Sequence, residues 1–323
     1  MTLPQPMDFA GCVVLTGPTG SGKSALAIEL AERYGCEIVS MDSMTIYRRL
    51  SIGTAKPTAT ERGRVPHHLI DVLEPWERGS VAWWLQRAQA AVQVIRARGR
   101  TPLFVGGTPF YLKAILHGLF DAPQFDPGVR AKLEAECAES GAVTLHARLK
   151  QVDAASAARL HANDTRRVIR ALEVYESTGT PLSQLQTTWG SPSFTQNAGV
   201  APVAPALRAV CLNWPREVLK ERLAARVQAM LAAGWLDEVR LLDTLPHPPG
   251  KEAAQALGYA ELRAHLLGAC TLAEATEAII VRTRQFAKRQ LTWFRNIGSL
   301  EFVDLPASEL NSIVWQKLTC APG

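Results

Sequence analysis

An α/β protein, built on a parallel sheet flanked by helices and interrupted by a helical insertion, is what this sequence of 323 residues predicts. Three observations carry that expectation. An apolar run, Val13-Val14-Leu15-Thr16, enters Gly17-Pro18-Thr19-Gly20-Ser21-Gly22-Lys23-Ser24, which is followed at once by helix-forming residues 25–32. Strand-like and helix-like stretches then alternate through the first third of the chain, the signature of a parallel, doubly wound sheet. From residue 121 to about 193 the strand signals stop and helical patterns follow one another.

The Gly-x-x-x-x-Gly-Lys-Ser spacing at 17–24 is a P-loop, so the sheet is P-loop NTPase-like. A buried strand delivers the chain to a turn that glycines alone can follow, and its N–H groups face inward as an anion nest. The positive end of the following helix adds to the same spot. Lys23 brings an ammonium to phosphate oxygens, and the Ser24 hydroxyl can hold Mg²⁺.

The other elements follow in order. Residues 37–40 read as a second buried strand ending at Asp42-Ser43, and 68–72 as a third short apolar run. A helical period over 80–98 has Trp84, Ala88, Ala91, Val92 and Ile95 as its inner face, and Gly99 ends it. Residues 102–105 form a strand stopped by Gly106-Gly107-Thr108. Ligands of such a sheet sit at the carboxyl ends of its strands, so Gly17, Asp42 and Gly106 should converge. Helices are expected at 127–140, 143–151, 154–160 and 164–177, the last capped by Asn163 or Asp164. Residues 191–205, rich in Pro, Ser and Ala, read as a return linker. A strand at 209–212, helices at 215–231, 236–242 and 271–296, and an edge strand at 301–303 complete the chain. The expected division is a catalytic core of 1–120 with 201–323, and an insertion of 121–200.

Composition narrows the function. No apolar run approaches the roughly 20 residues that span a bilayer, and the amino-terminal segment lacks the pattern of a signal peptide. A cytoplasmic protein without a membrane partner is expected, and a monomer. Cys12, Cys36, Cys137, Cys211, Cys270 and Cys320 lie far apart with no Cys-x-x-Cys pair, which offers neither a zinc site nor a disulfide framework. A net charge of +5 and a pI near 9.0 favour a polyanionic partner.

Asp42, at a strand end beside a phosphate cradle, either holds Mg²⁺ through water or serves as a general base. Gly106-Gly107 occupies the place where a P-loop ATPase carries a strand-end Asp for its metal, which argues against a hydrolytic motor; Asp71 could still fill that role. Thr108 adds a hydroxyl. Arg222 and Arg226 lie four apart on one helix, placed to stabilise a departing diphosphate. Two basic clusters remain: Arg166, Arg167 and Arg170 on the insertion, and Arg282, Arg284, Lys288, Arg289 and Arg295 on the late helix, interleaved with Phe286, Trp293 and Phe294. Cationic faces with aromatic neighbours suit phosphate backbones and unstacked bases. His67-His68 reads as a packed pair at a strand start.

Together these segments resemble the bacterial tRNA dimethylallyltransferases, also called tRNA isopentenyltransferases. The resemblance rests on 17–24; Asp42-Ser43 with Tyr47; Ile52-Gly53-Thr54-Ala55-Lys56-Pro57; Pro66-His67-His68-Leu69-Ile70-Asp71; and Gly106-Gly107-Thr108 with Tyr111. Later in the chain it rests on Asn163-Asp164 with Arg166 and Arg170, Gly258-Tyr259, and Ala287-Lys288-Arg289-Gln290 with Thr292-Trp293. It implies transfer of a dimethylallyl group from dimethylallyl diphosphate to N6 of the adenosine 3′ of the anticodon in tRNA. By the same resemblance, residues 17–24 grip the diphosphate with Mg²⁺ at Ser24, Asp42 is the base, and Thr108 and Arg226 help hold the diphosphate. Asp42, Ser43, Met44, Thr45, Thr108, Arg130, Arg166, Arg167, Arg170, Gln255, Gly258, Tyr259, Arg282, Arg284, Lys288 and Arg289 would contact tRNA. Thr45 stands where the family often has Gln, and Ser51 where Asp is more usual. The competing readings are a P-loop small-molecule kinase using ATP, a prenyltransferase acting on free adenine nucleotides, and a non-enzymatic RNA-binding protein.

Overall fold

The computed structural model describes residues 8–118, 127–185 and 207–320. In chain order the first unit carries β1 (Val13–Thr16), α1 (Lys23–Tyr34), β2 (Cys36–Ser40), α2 (Ala59–Arg64), β3 (His67–His68), α3 (Val81–Ala97), β4 (Thr101–Gly106) and α4 (Pro109–His117). The insertion carries α5 (Pro127–Ser140), α6 (Ala142–Val152), α7 (Ala154–Arg159), α8 (Thr165–Thr178) and α9 (Leu182–Leu185). The chain returns with β5 (Arg208–Asn213), α10 (Arg216–Ala232), α11 (Trp235–Leu242), α12 (Tyr259–Leu266), α13 (Leu272–Arg295), β6 (Leu300–Asp304) and α14 (Leu310–Thr319). Two compact units result: Met1–Leu116 with Pro202–Gly323, and His117–Ala201. The linker expected at 191–205 lies outside the described residues.

The six strands run in the order β3-β2-β4-β1-β5-β6, and every pairing is parallel. The centre, β1, is buried at all four positions because helices cover both faces of such a sheet. Leu15, Leu26, Leu30, Leu103, Val210 and Leu212 form the core beneath α1 and α14. Tyr34 stacks on Trp315 there, with ring centroids 4.1 Å apart.

The apolar run at 68–72 is not a full strand. β3 ends at His68, and Leu69 and Asp71 take left-handed backbone (φ 63° and 56°) because Asp71 turns toward buried Lys56. Helices α2, α4, α12 and α14 carry too few periodic residues, or too short a span, to stand out in sequence. Two helix starts are closed locally: N-cap Thr58 with Glu61 of α2, and N-cap Thr271 with Glu274 of α13, each form a reciprocal capping box.

The insertion has its own core of Leu133, Leu145, Leu149, Val168, Leu172 and Val174. Glu173, 4% exposed, sits at its edge. A carboxylate so buried needs paired cations, and it has two: Arg130 (3.1 Å) and Arg170 (2.8 Å).

Candidate active site

Three strand ends meet as the sequence implies. β1 lies between β4 and β5, and β2 lies beside β4, so Gly17, Asp42 and Gly106 share one edge. Met41 N–H donates to Val105 O (2.8 Å), and the Thr16 hydroxyl donates to Gly106 O (2.7 Å). Gly106 has no room for any side chain. A Cβ there would lie 1.9 Å from Met41 O, so the backbone just after β2 occupies the space that a side chain at 106 would need.

The phosphate loop is braced on two sides. Gly20 and Gly22 hold positive φ (79° and 88°), and Gly22 leads directly into α1. On one side, the Trp214 indole N–H donates to Ser21 O (3.0 Å), and Arg222 donates to Gly20 O (3.0 Å) while lying over the Trp214 ring. On the other, Gln290 of α13 accepts from Thr19 N–H (2.9 Å) and donates to Gly107 O (2.5 Å). A side-chain amide does both at once, accepting through its oxygen and donating through its nitrogen. A Cβ on Gly107 would lie 2.7 Å from that amide nitrogen and 3.4 Å from Lys23 Nζ, which accounts for the second glycine.

Charge is concentrated in this loop. Burial pushes the Lys23 ammonium down to about 8; Arg226 adds to the shift, and Asp42 and Cys211 oppose it. Half-buried Arg226 is likewise shifted down by burial, with Asp42 pulling the other way and Arg222 reinforcing the shift. Lys23, Arg226 and Asp42 therefore act on one another. Asp42 Oδ1 accepts from Met44 N–H (2.8 Å) and Thr45 N–H (3.4 Å), leaving Oδ2 without a hydrogen bond among the described residues. Thr108 Oγ1 accepts from Ser43 N–H (3.1 Å), tying the two strand-end loops together.

The remaining candidates separate. Asp71 does not face the phosphate loop as a free ligand: Lys56 (2.6 Å) and Arg62 (2.7 Å) take its two oxygens. Thr45 is buried with its hydroxyl on Ser40 Oγ (2.7 Å). His67 and His68 are held by Val65 O and Glu37. Tyr259 is buried with its hydroxyl on Glu238, and Gly258 packs on Trp235; Gln255 is exposed. Along α13, Thr283, Ala287, Gln290 and Phe294 face inward. Arg282, Phe286, Arg289 and Trp293 line one outward flank; Lys288 and Arg295 lie on another, beside half-buried Arg284, whose Nε is enclosed. Phe286 and Trp293 are large exposed aromatics, Arg289 lies over Phe286, and Arg282 pairs with Glu261. On the insertion Arg167 pairs with Asp164 (3.4 Å), and Arg166 lies on the same helix, α8. Sequence reasoning gave no role to Trp214, Gln290 or Glu238. Gln290 stood inside a recognised segment; Trp214 and Glu238 had no local signal, because their partners lie about 190 residues away.

Residues 45–297 match the family described as IPP transferase, and 11–67 that described as isopentenyl transferase. The chain belongs to the IPP transferase family. A tRNA dimethylallyltransferase of Symbiobacterium thermophilum is 47% identical over 95% of this chain and 93% of its own. That of Ralstonia nicotianae is 46% identical over 94% of each. Among solved structures, the tRNA isopentenylpyrophosphate transferase of Bacillus halodurans covers 96% of the chain at 36% identity, with a TM-score of 0.67 and 97% of its own length matched. A eukaryotic dimethylallyltransferase acting on tRNA covers 95% at 27% identity with a TM-score of 0.74, and 76% of its chain is matched.

Proposed function

We propose that this protein transfers a dimethylallyl group from dimethylallyl diphosphate to N6 of the adenosine 3′ of the anticodon in tRNA. The observation that carries the reading is that Lys23 at the start of α1, Arg226 on α10 and Asp42 just after β2 stand close enough to act on one another's charge. Two cations beside an N–H nest suit a diphosphate, and the carboxylate suits a weakly basic amine. In the transfer, the allylic C–O bond breaks and its electron pair leaves with the diphosphate, whose charge Lys23 and Arg226 stabilise. The N6–carbon bond forms, and Asp42 accepts the amine proton. Thr108 fixes the loop that follows Asp42 through Ser43 N–H, and its hydroxyl would help hold the diphosphate.

The loop also suits Mg²⁺. Ser24 is exposed on the first turn of α1, and its hydroxyl makes no hydrogen bond among the described residues. Ser21 Oγ is buried without a partner in the same loop. No cluster of three or more acidic, His or Cys side chains exists among the described residues, so the ion would rest on Ser24 and the diphosphate itself. Bound there, Mg²⁺ would supply further neutralisation of the leaving group.

A base within an anticodon stack must be flipped out to reach Asp42. Ser43 and Met44 flank its entry, with Thr45 acting through its backbone. The outward face of α13, including Arg282, Arg284, Lys288 and Arg289, and the insertion's Arg130, Arg166, Arg167 and Arg170 would hold the stem-loop, with Gln255 at the surface and Gly258-Tyr259 supporting from beneath. No described helix is long and apolar enough to cross a membrane, and we place the protein in the cytoplasm with its tRNA.

The test is incubation with labelled dimethylallyl diphosphate and unmodified tRNA, with AMP and ATP in parallel. Label should enter tRNA alone; label only in a free nucleotide, or in nothing, refutes the reading. Asp42→Asn should bind tRNA normally and lose most turnover, and normal turnover would remove Asp42 as the base.

A further inference from the structure

Two segments that stand out in the sequence, 52–57 and 258–259, carry no reacting group, yet both are tied to one side chain. Glu238 on α11 aims its carboxylate at the turn that opens the first of them. Its Oε2 accepts from Ser51 N–H and Ile52 N–H, both at 2.8 Å. Its Oε1 accepts from Gly53 N–H (3.2 Å) and from the Tyr259 hydroxyl (2.6 Å). Three successive backbone N–H groups converging on one carboxylate make an anion nest, here filled by the protein's own helix. Trp235, one turn earlier on α11, closes the same junction. A Cβ on Gly53 would lie 2.2 Å from its indole nitrogen, and one on Gly258 2.2 Å from its ring, so both places demand glycine.

The clamped turn leads toward the reacting carboxylate. Ala55 N–H donates to Ile52 O and Lys56 N–H to Ser51 O, both at 2.9 Å, and this closes the turn. The turn delivers Lys56, 8% exposed, beneath the next loop. Its ammonium donates to Tyr47 O (2.7 Å) and Asp71 Oδ1 (2.6 Å). Asp71 N–H in turn donates to Thr45 O (3.2 Å), and Val72 N–H to Ile46 O (2.8 Å). Thr45 and Met44 N–H groups then hold Asp42 Oδ1. The diphosphate loop is braced separately, by Trp214, Arg222 and Gln290, which share no hydrogen bond with Glu238.

We propose that Glu238 is a positioning residue for the acceptor half of this site: by holding the N–H groups of residues 51–53 it seats Lys56 under the Asp42–Tyr47 loop, and so fixes where the Asp42 carboxylate meets the amine. The inference rests on the transferase reading, with Asp42 as base. The two halves of the site then respond to different residues. Loss of Glu238 slows the proton-accepting step without loosening the diphosphate.

The test compares the intact protein with Glu238→Gln and with Tyr259→Phe, which removes a single hydroxyl and leaves the packing on Trp235. Active sites are counted by stoichiometric binding of dimethylallyl diphosphate without RNA. Per counted site, kcat on tRNA should fall at least about tenfold in Glu238→Gln, which affects four bonds to the carboxylate, and about threefold in Tyr259→Phe, which removes one. The donor's dissociation constant should stay within about twofold in both, because its loop loses no hydrogen bond. Amide hydrogen exchange in the 44–57 peptide should quicken. A merely structural role would lower the count of active sites and leave kcat per site unchanged; that result, or donor affinity falling in step with kcat, overturns the proposal. If the unaltered protein fails to label tRNA, the transferase reading itself falls, and the unaltered arm distinguishes that failure from the first.

Discussion

Lys23 gives the site a pH dependence whose size follows from its surroundings. Burial removes its ammonium from water, and Arg226 lies close enough to repel it, so its pKa drops from the ordinary 10.5 to about 8. A diphosphate seated in the loop brings negative charge to the ammonium and restores the protonated form. Between these two values the complex therefore holds a proton that the free protein has lost, and binding must take one up. Affinity weakens as pH rises through this window, with a slope that approaches tenfold per pH unit. Between pH of about 7 and about 9 the free protein goes from mostly protonated to about one-tenth protonated, so the dissociation constant for dimethylallyl diphosphate should rise about tenfold. Titration calorimetry in two buffers of different ionisation enthalpy, without RNA, reads both the affinity and the proton uptake. Lys23→Arg should bind with a flat profile, because its guanidinium stays charged throughout. A flat profile in the unaltered protein, or proton release on binding, would refute the reasoning.

Three further outcomes follow from the packing. Gly106→Ala drives a methyl into the Met41 backbone at 1.9 Å, which should cost about 2 kcal/mol or more and displace Asp42; Gly107→Ala meets the Gln290 side-chain amide at 2.7 Å and backbone, Gly17 O, only at 3.3 Å, so a thermal melt should rank Gly106→Ala well below it, and the reverse order would sink the contact argument. Gln290→Leu strands Thr19 N–H and Gly107 O, each costing about 1–3 kcal/mol when left unpaired; donor affinity should fall while tRNA affinity, by filter binding, stays within about twofold. Lys56→Met removes a buried ammonium from Asp71, which keeps Arg62, and chemical denaturation should show a loss of about 2 kcal/mol; no loss would mean that the pair contributes nothing net.

Much of the fold was legible because periodicity and glycine placement are local signals. The strand into Gly17, the helix after Lys23 and the face of α3 through Trp84 and Ile95 follow from spacing alone. So does the meeting of Gly17, Asp42 and Gly106, since parallel order places all carboxyl ends on one edge. What escaped was long-range. Nothing near Asp71 says that its oxygens go to Lys56 and Arg62, and nothing near Glu238 says that it binds N–H groups 185 to 187 residues earlier. β3 fell short of its apolar run for the same reason, because an ion pair at Asp71 turned the chain away from the sheet. Arg222 and Arg226 were paired correctly by helical spacing, yet that spacing could not tell which of them braces Gly20 and which faces Asp42.

The two halves of the site meet at backbone rather than at side chains. The donor half is held by Gln290, Trp214 and Arg222, and the acceptor half by Lys56, Asp71 and Glu238. Between them stands Gly106, paired to Thr16 in the sheet and pressed against Met41. The separation of Lys23 from Asp42 is thus set by strand packing, the stiffest feature available. A carboxylate at position 106 would have filled this seam with a side chain and a charge. Glycine leaves β2 close enough that the residue after Met41 reaches the loop's cations. The glycine at 106 and the reach of Asp42 toward these cations thus have one structural cause, and if Asp42 is the base as proposed, replacing Gly106 should harm turnover more than it harms donor binding.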